Sequence, residues 1–536
     1  MKKSRLLFWA VTSALAGFLF GFDTVVISGA EKQIQELWTL SGTMHGWAMS
    51  AALWGTVIGA FLGGFPASRF GRKKTLVSIG FLYFISAIGS AMASDVYIFM
   101  VARLIGGLGV GISTIAAPMF ISEIAPAKDR GKLAGMFQFN IVFGILIAYF
   151  SNYLFGTFIA DESAWRLMLG VEAVPALIYS VMTFMLPESP RWLIIHANKR
   201  SEGAAVFRQI NPGMSEVEIE SLVNEVESSA VITEKSSGFW TKRLRLPIML
   251  AFLIAFFNQL SGINIVLYFA PRLLDMAGIS DTLAASISLG VTNLIFTFIG
   301  LWLIDKLGRR FLLFIGSFGY IISLGIIGIA FLSVTEFKVV SSAIDLIGSS
   351  GSMIQIENNE GFRSEADQQN IRNGFASAKT ALIQASQLDR YKGDQIIIPA
   401  EATTAEVKAI AEKAKSDSSN ILGPISLIVL ICIVAFIAAH AIGQGAVIWV
   451  FISEIFPNDH RAAGQSLGSF THWMFAALLT FLFPITIRNF DAGYIFAFFS
   501  LMMVLQLIWV KFMVPETKGK SLEEIGRTLG AEEISK

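Results

Sequence analysis

Apolar stretches of about 20 residues recur twelve times along the chain, and this recurrence constrains the fold more than any other feature. A helix of roughly that length crosses a hydrocarbon core ~30 Å thick, and inside lipid the backbone must satisfy its own hydrogen bonds. The sequence therefore predicts an all-α membrane protein of twelve transmembrane helices. The stretches lie near residues 6–29, 47–68, 75–93, 96–118, 133–154, 167–186, 247–270, 282–303, 311–333, 424–450, 462–486 and 492–513.

The composition agrees with a membrane protein and argues against several other classes. Hydrophobic residues make up 54% of the chain and charged residues 15%, whereas soluble domains contain roughly 25% charged residues. The single cysteine, Cys432, lies in an apolar stretch, which excludes an intrachain disulfide and a cysteine-based metal site. A net charge of +1 gives no support to a nucleic-acid partner. We expect no nucleic-acid partner, no metal and no cofactor.

Basic residues in the short loops predict the orientation, because lysine and arginine are retained on the cytoplasmic side of a membrane. One side carries "RFGRKK" at 69–74 and "KLGRR" at 306–310, whereas the short loops of the other side carry only Lys32, Arg166 and Arg272. Both termini are therefore predicted to face the cytoplasm from the cell (inner) membrane. The opening residues also resemble a signal peptide, whose cleavage after "ALA" would leave eleven spans.

Three motifs return in the same order later in the chain, which predicts a duplicated six-helix unit. "RFGRKK" returns as "KLGRRF" 237 residues later, "ISEIAPAKDR" returns as "ISEIFPNDHR" 331 residues later, and "PESPRWL" returns loosely as "PETKGKSL". The difference in spacing indicates an insertion of about 94 residues in the second half. We predict an N-terminal bundle at 1–187, a cytoplasmic linker with short interfacial helices at 188–246, a C-terminal bundle at 247–514 and a cytoplasmic tail at 515–536.

The inserted residues form a polar stretch at 334–420, between the ninth and tenth predicted spans. By the topology above, this large insertion is extracytoplasmic. Two interpretations remain open for it. It is either a tolerated, partly ordered loop, or a small extramembrane domain that contacts a partner or covers an entrance.

Eight motifs in register resemble those of the sugar porter family of the major facilitator superfamily. The resemblance covers nearly the whole chain except 334–420. It implies two six-helix bundles that rock around a central site to import a monosaccharide or polyol, and we expect a monomer in the lipid bilayer. The motifs are "GFDTVVISG", "RFGRKK", "ISEIAPAKDRGKL", "PESPRWL", "NQLSGIN", "DKLGRR", "ISEIFPNDHR" and "PETKG".

An acid inside the first span, Asp23 in "LFGFDTVVISG", needs an explanation because a carboxylate in hydrocarbon costs a few kcal/mol. In proton-coupled members of the family an acid occupies this position, and the resemblance implies a basic partner at Arg103. Glu172 is a second intramembrane acid that can join them. The hypothesis is proton symport; the alternatives are a static ion pair in a facilitative uniporter, or a transport-dead nutrient receptor.

A sugar site needs amides, which both donate and accept hydrogen bonds, beside an aromatic plate. Any one amide can instead join helices, and Trp449 can belong to the aromatic belt. Asn258 and His472 depart from the family's usual glutamine and amide, and Ile145 replaces a glutamine of the bacterial xylose–proton symporter, so pentose, hexose and cyclitol stay open. The predicted substrate-binding residues are Gln138, Asn258, Gln259, Asn264, Asn293, Trp449, His472 and Trp473.

Charged residues in the repeated motifs predict a gate at the cytoplasmic ends of both bundles. Opposite charges would pair across the two halves when that side is closed and separate when it opens; the alternative is that they only set topology. Nothing in the sequence resembles a nucleophile–base pair or a phosphate-binding loop, so no enzyme activity is predicted. The gate residues are Arg69, Arg72, Glu123, Arg130, Glu188, Arg309, Glu454 and Arg461.

Overall fold

The computed structural model describes residues 2–126, 130–159, 163–233, 238–358 and 365–530. Regular structure in these ranges is helical throughout, with short 3-10 turns at Lys242–Leu244 and Asn458–His460. The first half contains α1 (Lys2–Leu37), α2 (Gly42–Leu62), α3 (Gly64–Phe70), α4 (Arg72–Ala91), α5 (Val96–Ile124), α6 (Arg130–Phe158), α7 (Ala164–Gly170) and α8 (Ala173–Phe184).

The linker and the second half follow the same helical plan. The linker contains α9 (Pro190–Ile195), α10 (Arg200–Ile210) and α11 (Glu216–Thr233). The second half contains α12 (Arg245–Leu260), α13 (Ile263–Tyr268), α14 (Ala270–Met276), α15 (Thr282–Leu307), α16 (Arg309–Ser333), α17 (Thr335–Glu357), α18 (Glu365–Ser386), α19 (Thr404–Ile442), α20 (Gln444–Ile455), α21 (Arg461–Asn489), α22 (Ala492–Met513) and α23 (Leu522–Thr528).

Twelve spans among the described residues are long and apolar enough to cross a membrane, and the bent pair of α2 and α3 would add a thirteenth. Each of the twelve predicted stretches coincides with one of these spans or with the bent pair. The span without a predicted counterpart is α17, the least apolar of the twelve, which lies in the polar segment 334–420. The all-helical prediction is therefore confirmed, and the residues of the proposed cleavage site lie in the middle of α1 with Ala14 and Ala16 buried.

Four predicted spans are interrupted, and one of them, 167–186, contains the turn between α7 and α8. The stretch 47–68 bends by 49° where α2 meets α3. The stretch 247–270 breaks at Gly262, whose φ of +83° suits glycine and whose absent side chain leaves room for the Phe499 ring, 2.7 Å from a Cβ placed there. The stretch 424–450 breaks at Gly443, between α19 and α20. Sequence length alone predicts a span, but not such interruptions.

The two halves pack against each other through a small number of helices. In the first half α1 packs on α6 and α2 packs on α5; in the second half α16 packs on α22 and α19. Between the halves, α2 packs on α21 and α6 packs on α15. Gly46 lets α2 approach α21 closely, because a Cβ there would lie 2.2 Å from the Phe481 carbonyl oxygen. The space enclosed by these helices holds the candidate site.

The inserted segment forms helices with an apolar cluster of their own. α17, α18 and the first part of α19 pack together through Val339, Leu346, Leu382, Val407 and Ala411, all of which are buried. A kink at Gly423, beside Pro424, separates this part of α19 from the part that continues the bundle. The described residues of 334–420 are thus largely helical and share an apolar cluster.

Candidate functional site

Asp23 and Arg103 form a buried ion pair between α1 and α5. The Arg103 Nη1 lies 2.6 Å from Asp23 Oδ1, and Nη2 donates to the Asp23 carbonyl oxygen at 3.0 Å. Each side chain is 2% exposed. At that burial a charge is costly unless it is paired, so the two groups depend on each other for their ionised forms. The structure brings the two predicted residues together.

Glu172 completes this group from the turn between α7 and α8. It is 1% exposed and interacts electrostatically with both Asp23 and Arg103. Its Oε1 has no hydrogen-bond partner among the described residues. Two carboxyl groups therefore share one guanidinium in a water-poor region.

Tyr268 connects this group to the other half of the molecule, and the sequence analysis missed it. It lies on α13, is fully buried, and interacts electrostatically with Asp23 and Arg103. The signal was present in the sequence, since Tyr268 follows Asn264 by four residues and so shares its helix face. The charged group and the amide group are thus linked through one short helix.

The amides of the broken helix form a single hydrogen-bonded cluster centred on Gln259. Its Nε2 donates to Asn258 Oδ1 at 3.0 Å, and Asn264 Nδ2 donates to its Oε1 at 2.8 Å. The same Nε2 lies 3.1 Å from the His472 ring nitrogens. Asn258 and Gln259 precede the break at Gly262 and Asn264 follows it, so the interruption is what allows all three to meet.

Aromatic rings, among them the predicted Trp449 and Trp473, lie beside the amides and form an aromatic wall. The ring centroids of Trp449 and His472 are 5.2 Å apart, and those of His472 and Trp473 are 4.7 Å apart. Phe20 of α1 packs on Trp473 at 5.5 Å, so the wall reaches the first half. Trp473 Nε1 is buried and has no partner among the described residues, which leaves a donor free beside the amide cluster.

Two predicted site residues lie apart from the amide cluster. Gln138 is half-buried on α6, and Asn293, 9% exposed, lies on α15. Their helices pack on each other across the two halves. Within the described ranges neither residue hydrogen-bonds to the amides of α12 and α13. They are therefore not part of the hydrogen-bonded cluster itself.

At the end with the basic motifs, each half pairs its own charges. Arg72 binds Glu123 in a bidentate manner, with Nη2–Oε1 at 2.8 Å and Nε–Oε2 at 3.0 Å. Glu188 Oε1 accepts the backbone N–H groups of Arg72 and Lys73 at the start of α4. This arrangement stabilises the helix start, because a carboxylate satisfies free N–H groups there.

The second half repeats the same geometry. Arg309 binds Glu454 at 2.7 and 3.1 Å, and Glu516 accepts the backbone N–H groups of Arg309 and Arg310. Glu516 stands in "PETKG" in the place that Glu188 takes in "PESPRWL", and the sequence analysis did not count it as a gate residue. The repeated motifs thus encode one local charge network twice.

The predicted pairing across the halves is not formed among the described residues of this end. The physical reason is that the guanidinium groups of Arg72 and Arg309 are already occupied by glutamates of their own half. Arg69 lies over the Phe65 ring at 5.8 Å. Arg461 Nε and Nη2 have no partner in the described structure, and the Arg130 side chain lies outside the described part of the chain.

Ion pairs between the halves occur at the opposite end of the molecule. Arg272 binds Glu31 at 2.8 Å, and His45 Nε2 lies 2.9 Å from Glu31 Oε1. Asp275 pairs with Lys32 of the first half and, at 2.6 Å, with Lys415 of the inserted segment. Burial raises the pKa of the Asp275 carboxyl, but the two ammonium groups outweigh burial and hold the pKa below its usual value. We call these five paired side chains and Lys415 the inter-half network.

Comparisons with known proteins agree on one family. The family described as "Sugar (and other) transporter" matches residues 9–347 and 409–529. The chain is 30% identical to a D-xylose transporter of Levilactobacillus brevis, covering 99% of this chain and 97% of that protein. It is 29% identical to the arabinose-proton symporter of Bacillus subtilis, covering 96% of this chain and 92% of that protein.

Solved structures give the same result. The partially occluded, inward-open xylose transporter XylE of Escherichia coli matches with a TM-score of 0.71 and 27% identity, over 97% of this chain and 100% of that chain. XylE bound to 6-bromo-6-deoxy-D-glucose matches with a TM-score of 0.66, over 99% of this chain and 100% of that one. The fold is therefore that of the major facilitator superfamily, and the gap in the family match, 348–408, falls inside the insertion.

Proposed function

The chain belongs to the sugar transporter family, and from this premise we propose that it imports a monosaccharide or related polyol together with protons by alternating access. The observation that carries the proposal is the buried group of Asp23, Arg103 and Glu172, linked through Tyr268 to a cluster of amides and aromatic rings. Two of the similar proteins are named proton symporters, one for arabinose and one for D-xylose.

The proposed sugar site lies between the halves. Gln259, Asn258, Asn264 and His472 would hydrogen-bond the hydroxyls, since the cluster offers both donors and acceptors. Trp449 and Trp473 would pack on the ring faces, and Gln138 and Asn293 would contact the substrate from α6 and α15. Gln259 hydrogen-bonds to neighbouring side chains in this structure. When a sugar binds, hydrogen bonds to its hydroxyls would replace these at little net cost in free energy.

Proton coupling is proposed to follow because the buried Arg103 guanidinium needs an ionised carboxylate as its partner. When Asp23 takes up a proton at its carboxyl, the Arg103 guanidinium loses its counter-ion while it remains buried. Glu172 is within electrostatic reach and has a free Oε1, so it can accept the guanidinium in place of Asp23. The two pairings differ by one proton. This difference lets the proton bias the equilibrium between two conformations.

The conformation is proposed to be inward-facing. The protein is proposed to lie in the inner membrane of a cell, with its basic end and both termini in the cytoplasm. The inter-half network closes the opposite end, whereas the described pairs of Arg72 and Arg309 at the basic end each lie within one half. The higher TM-score with the inward-open xylose transporter supports this assignment. Pairing of the basic-end gate residues across the halves is proposed for the outward-facing conformation.

The domain arrangement follows from the same topology. We propose bundles at 1–187 and 247–514, a cytoplasmic linker at 188–246, a cytoplasmic tail at 515–536, and function as a monomer. The inserted helical unit, 334–420, is proposed to lie outside the cytoplasm above the closed end, because Lys415 joins the inter-half network there. This places α17 outside the bilayer despite its length.

The competing proposal is a facilitative uniporter, in which the Asp23–Arg103 pair only stabilises helix packing; a transport-dead receptor is a more distant one. Purified protein in liposomes separates them. Asp23→Asn should abolish uphill sugar accumulation driven by a pH gradient and preserve sugar exchange, whereas the exposed Asp394→Asn should leave both intact. A pH-sensitive dye should report acidification as the sugar enters wild-type vesicles. Sugar uptake without acidification, or full accumulation by Asp23→Asn, would establish uniport instead.

A further inference from the structure

A second pair of polar residues lies next to the amide cluster, and neither the motifs nor the family match singled it out. His440, near the end of α19, and Tyr320, on α16, contact each other with Nδ1 and the hydroxyl oxygen 2.9 Å apart. Tyr320 is fully buried, whereas His440 is half-buried. Part of the surface of residue 440 therefore faces open space.

That open space is the interior of the molecule and not the lipid. The outward face of this part of α19 is marked by Leu427, Ile428 and Ile431, which are 55%, 49% and 57% exposed. His440 follows Ile431 by nine residues, which is about two and a half turns of an α-helix. It therefore points away from the lipid-facing side, toward the space between the two halves.

The contacts of Tyr320 determine which ring nitrogen of His440 carries the hydrogen. The backbone of Gln444 lies within hydrogen-bond reach of the Tyr320 hydroxyl, and as the first residue of α20 its N–H has no partner in its own helix. With that N–H directed at the hydroxyl oxygen, the hydroxyl would donate its own hydrogen to Nδ1 of His440, 2.9 Å away. The hydrogen of the imidazole would then sit on Nε2.

This Nε2–H borders the same region as the amide cluster. His440 interacts electrostatically with His472, which touches Gln259. Gly445 lies beside the imidazole, because a Cβ there would lie 3.5 Å from His440 Nε2, and Trp449 follows one turn later on the same face. The lack of a side chain at residue 445 leaves space next to Nε2 on the face of α20 that carries Trp449.

We propose that His440 donates a hydrogen bond from Nε2 to a hydroxyl oxygen of the transported monosaccharide, and that Tyr320 is the positioning residue that holds this tautomer. The inference rests on the proposed sugar transport and deepens it, because it assigns a specificity-determining donor on α19. A histidine held in one tautomer discriminates between a hydroxyl and a missing hydroxyl more strongly than an apolar side chain at the same place.

The test measures binding of D-glucose, D-xylose and their singly deoxygenated forms to the purified full-length protein by calorimetry. His440→Phe should bind the preferred sugar about 10-fold more weakly, the loss of roughly one hydrogen bond. One deoxy sugar should bind about 10-fold more weakly than its parent to wild type, yet equally well to His440→Phe. This coupling between one hydroxyl and one side chain is the expected result.

Tyr320→Phe should give a smaller loss, and Tyr320→Phe combined with His440→Phe should lose no more than His440→Phe alone. His440→Gln retains a donor and should recover part of the affinity. Exposed His196→Gln and Tyr494→Phe are the matched controls and should bind as wild type does. Thermal unfolding of each variant identifies any that misfold, in which case Tyr320→Phe and His440→Gln carry the test.

The outcomes separate the two proposals. If wild type binds a sugar but every hydroxyl contributes equally in wild type and His440→Phe, the role of His440 is refuted and the sugar transport stands. If wild type binds none of these sugars or polyols such as inositol, both the proposed substrate class and the role of His440 are refuted.

Discussion

At the residue scale, the sequence predicts chemistry better than it predicts contacts. An acid in an apolar span is rare because it is costly, so Asp23 and Glu172 could be recognised without coordinates. Gln259 was recognisable as one of several amides, but its position at the centre of the cluster depends on the break at Gly262. Tyr268 and His440 were missed because a buried tyrosine or histidine is ordinary until its neighbours are known.

The central position of Gln259 leads to a residue-scale prediction. Gln259→Leu removes partners from Asn258, Asn264 and His472 at once and leaves their polar groups buried without hydrogen bonds. We expect at least a ~10-fold loss of sugar affinity, about 1.4 kcal/mol, with a lower temperature of unfolding. Calorimetry on purified protein measures the affinity.

Gln209→Leu provides the matched control for Gln259→Leu, because Gln209 is exposed on α10. It should change neither the affinity nor the unfolding temperature. Unchanged affinity in Gln259→Leu would place the sugar elsewhere in the space between the halves.

At the element scale, hydropathy predicted where helices run but not where they break. Two of the breaks coincide with a glycine in a non-helical backbone conformation, which is visible only with coordinates. Gly262 has a positive φ beside the Phe499 ring, and Gly443 has φ −85° and ψ −102°, a backbone conformation that is not helical. In the polar segment 334–420, by contrast, the sequence pattern did not show that helices form. Its polar composition suggested a loop as readily as a domain, because the apolar positions that join α17, α18 and α19 are few and widely separated in sequence.

Gly262 provides an element-scale prediction with a control elsewhere in the chain. Gly262→Ala forces a side chain into a left-handed backbone conformation and against Phe499, which should cost about 1–2 kcal/mol or more. Gly348→Ala lies inside α17 with nothing within 4 Å of the new Cβ, and should be neutral or stabilising by up to ~1 kcal/mol. Thermal unfolding in detergent measures both.

The same pair of variants also tests the site. Gly262→Ala should weaken sugar binding, because the break aligns Asn264 with Gln259, whereas Gly348→Ala should not. Equal unfolding temperatures for the two variants would show that the break at Gly262 is unnecessary.

At the scale of the whole molecule, duplication was predictable from repeated motifs, but the conformation was not. The motif arginines Arg72 and Arg309 are paired within their own halves. The ion pairs between the halves come from residues such as Lys32, Arg272 and Asp275, which belong to no repeated motif. A conformational equilibrium of this kind is balanced to a few kcal/mol. Sequence patterns do not determine which side of such a balance is populated.

The inter-half network predicts how the closed end responds to mutation. With Cys432→Ser as background, a cysteine at the buried Ser28 reports access from outside through its rate of labelling by a membrane-impermeant thiol reagent. Asp275→Asn removes the partner of two lysines and should speed labelling about 10-fold, roughly 1.4 kcal/mol of the preference for the closed end. Lys415→Met should give a smaller increase, because Lys32 remains. The exposed Lys413→Met is the control and should change nothing.

The same measurement has a predictable pH dependence. The pKa of Asp275 is lowered from 3.8, so its contribution to closure is fully present above that value and is lost only as the pH falls through the still lower pKa of the closed state. The ratio of the labelling rates of Asp275→Asn and wild type should therefore stay constant from about pH 5 to pH 8, since ionisation of the thiol changes both rates by the same factor. Any pH response of transport in this window must then come from other groups, with Asp23 and Glu172 the proposed ones. A ratio that shrinks as the pH falls from 8 to 5 would show that the network itself titrates, and would move the proton site from the centre of the molecule to its closed end.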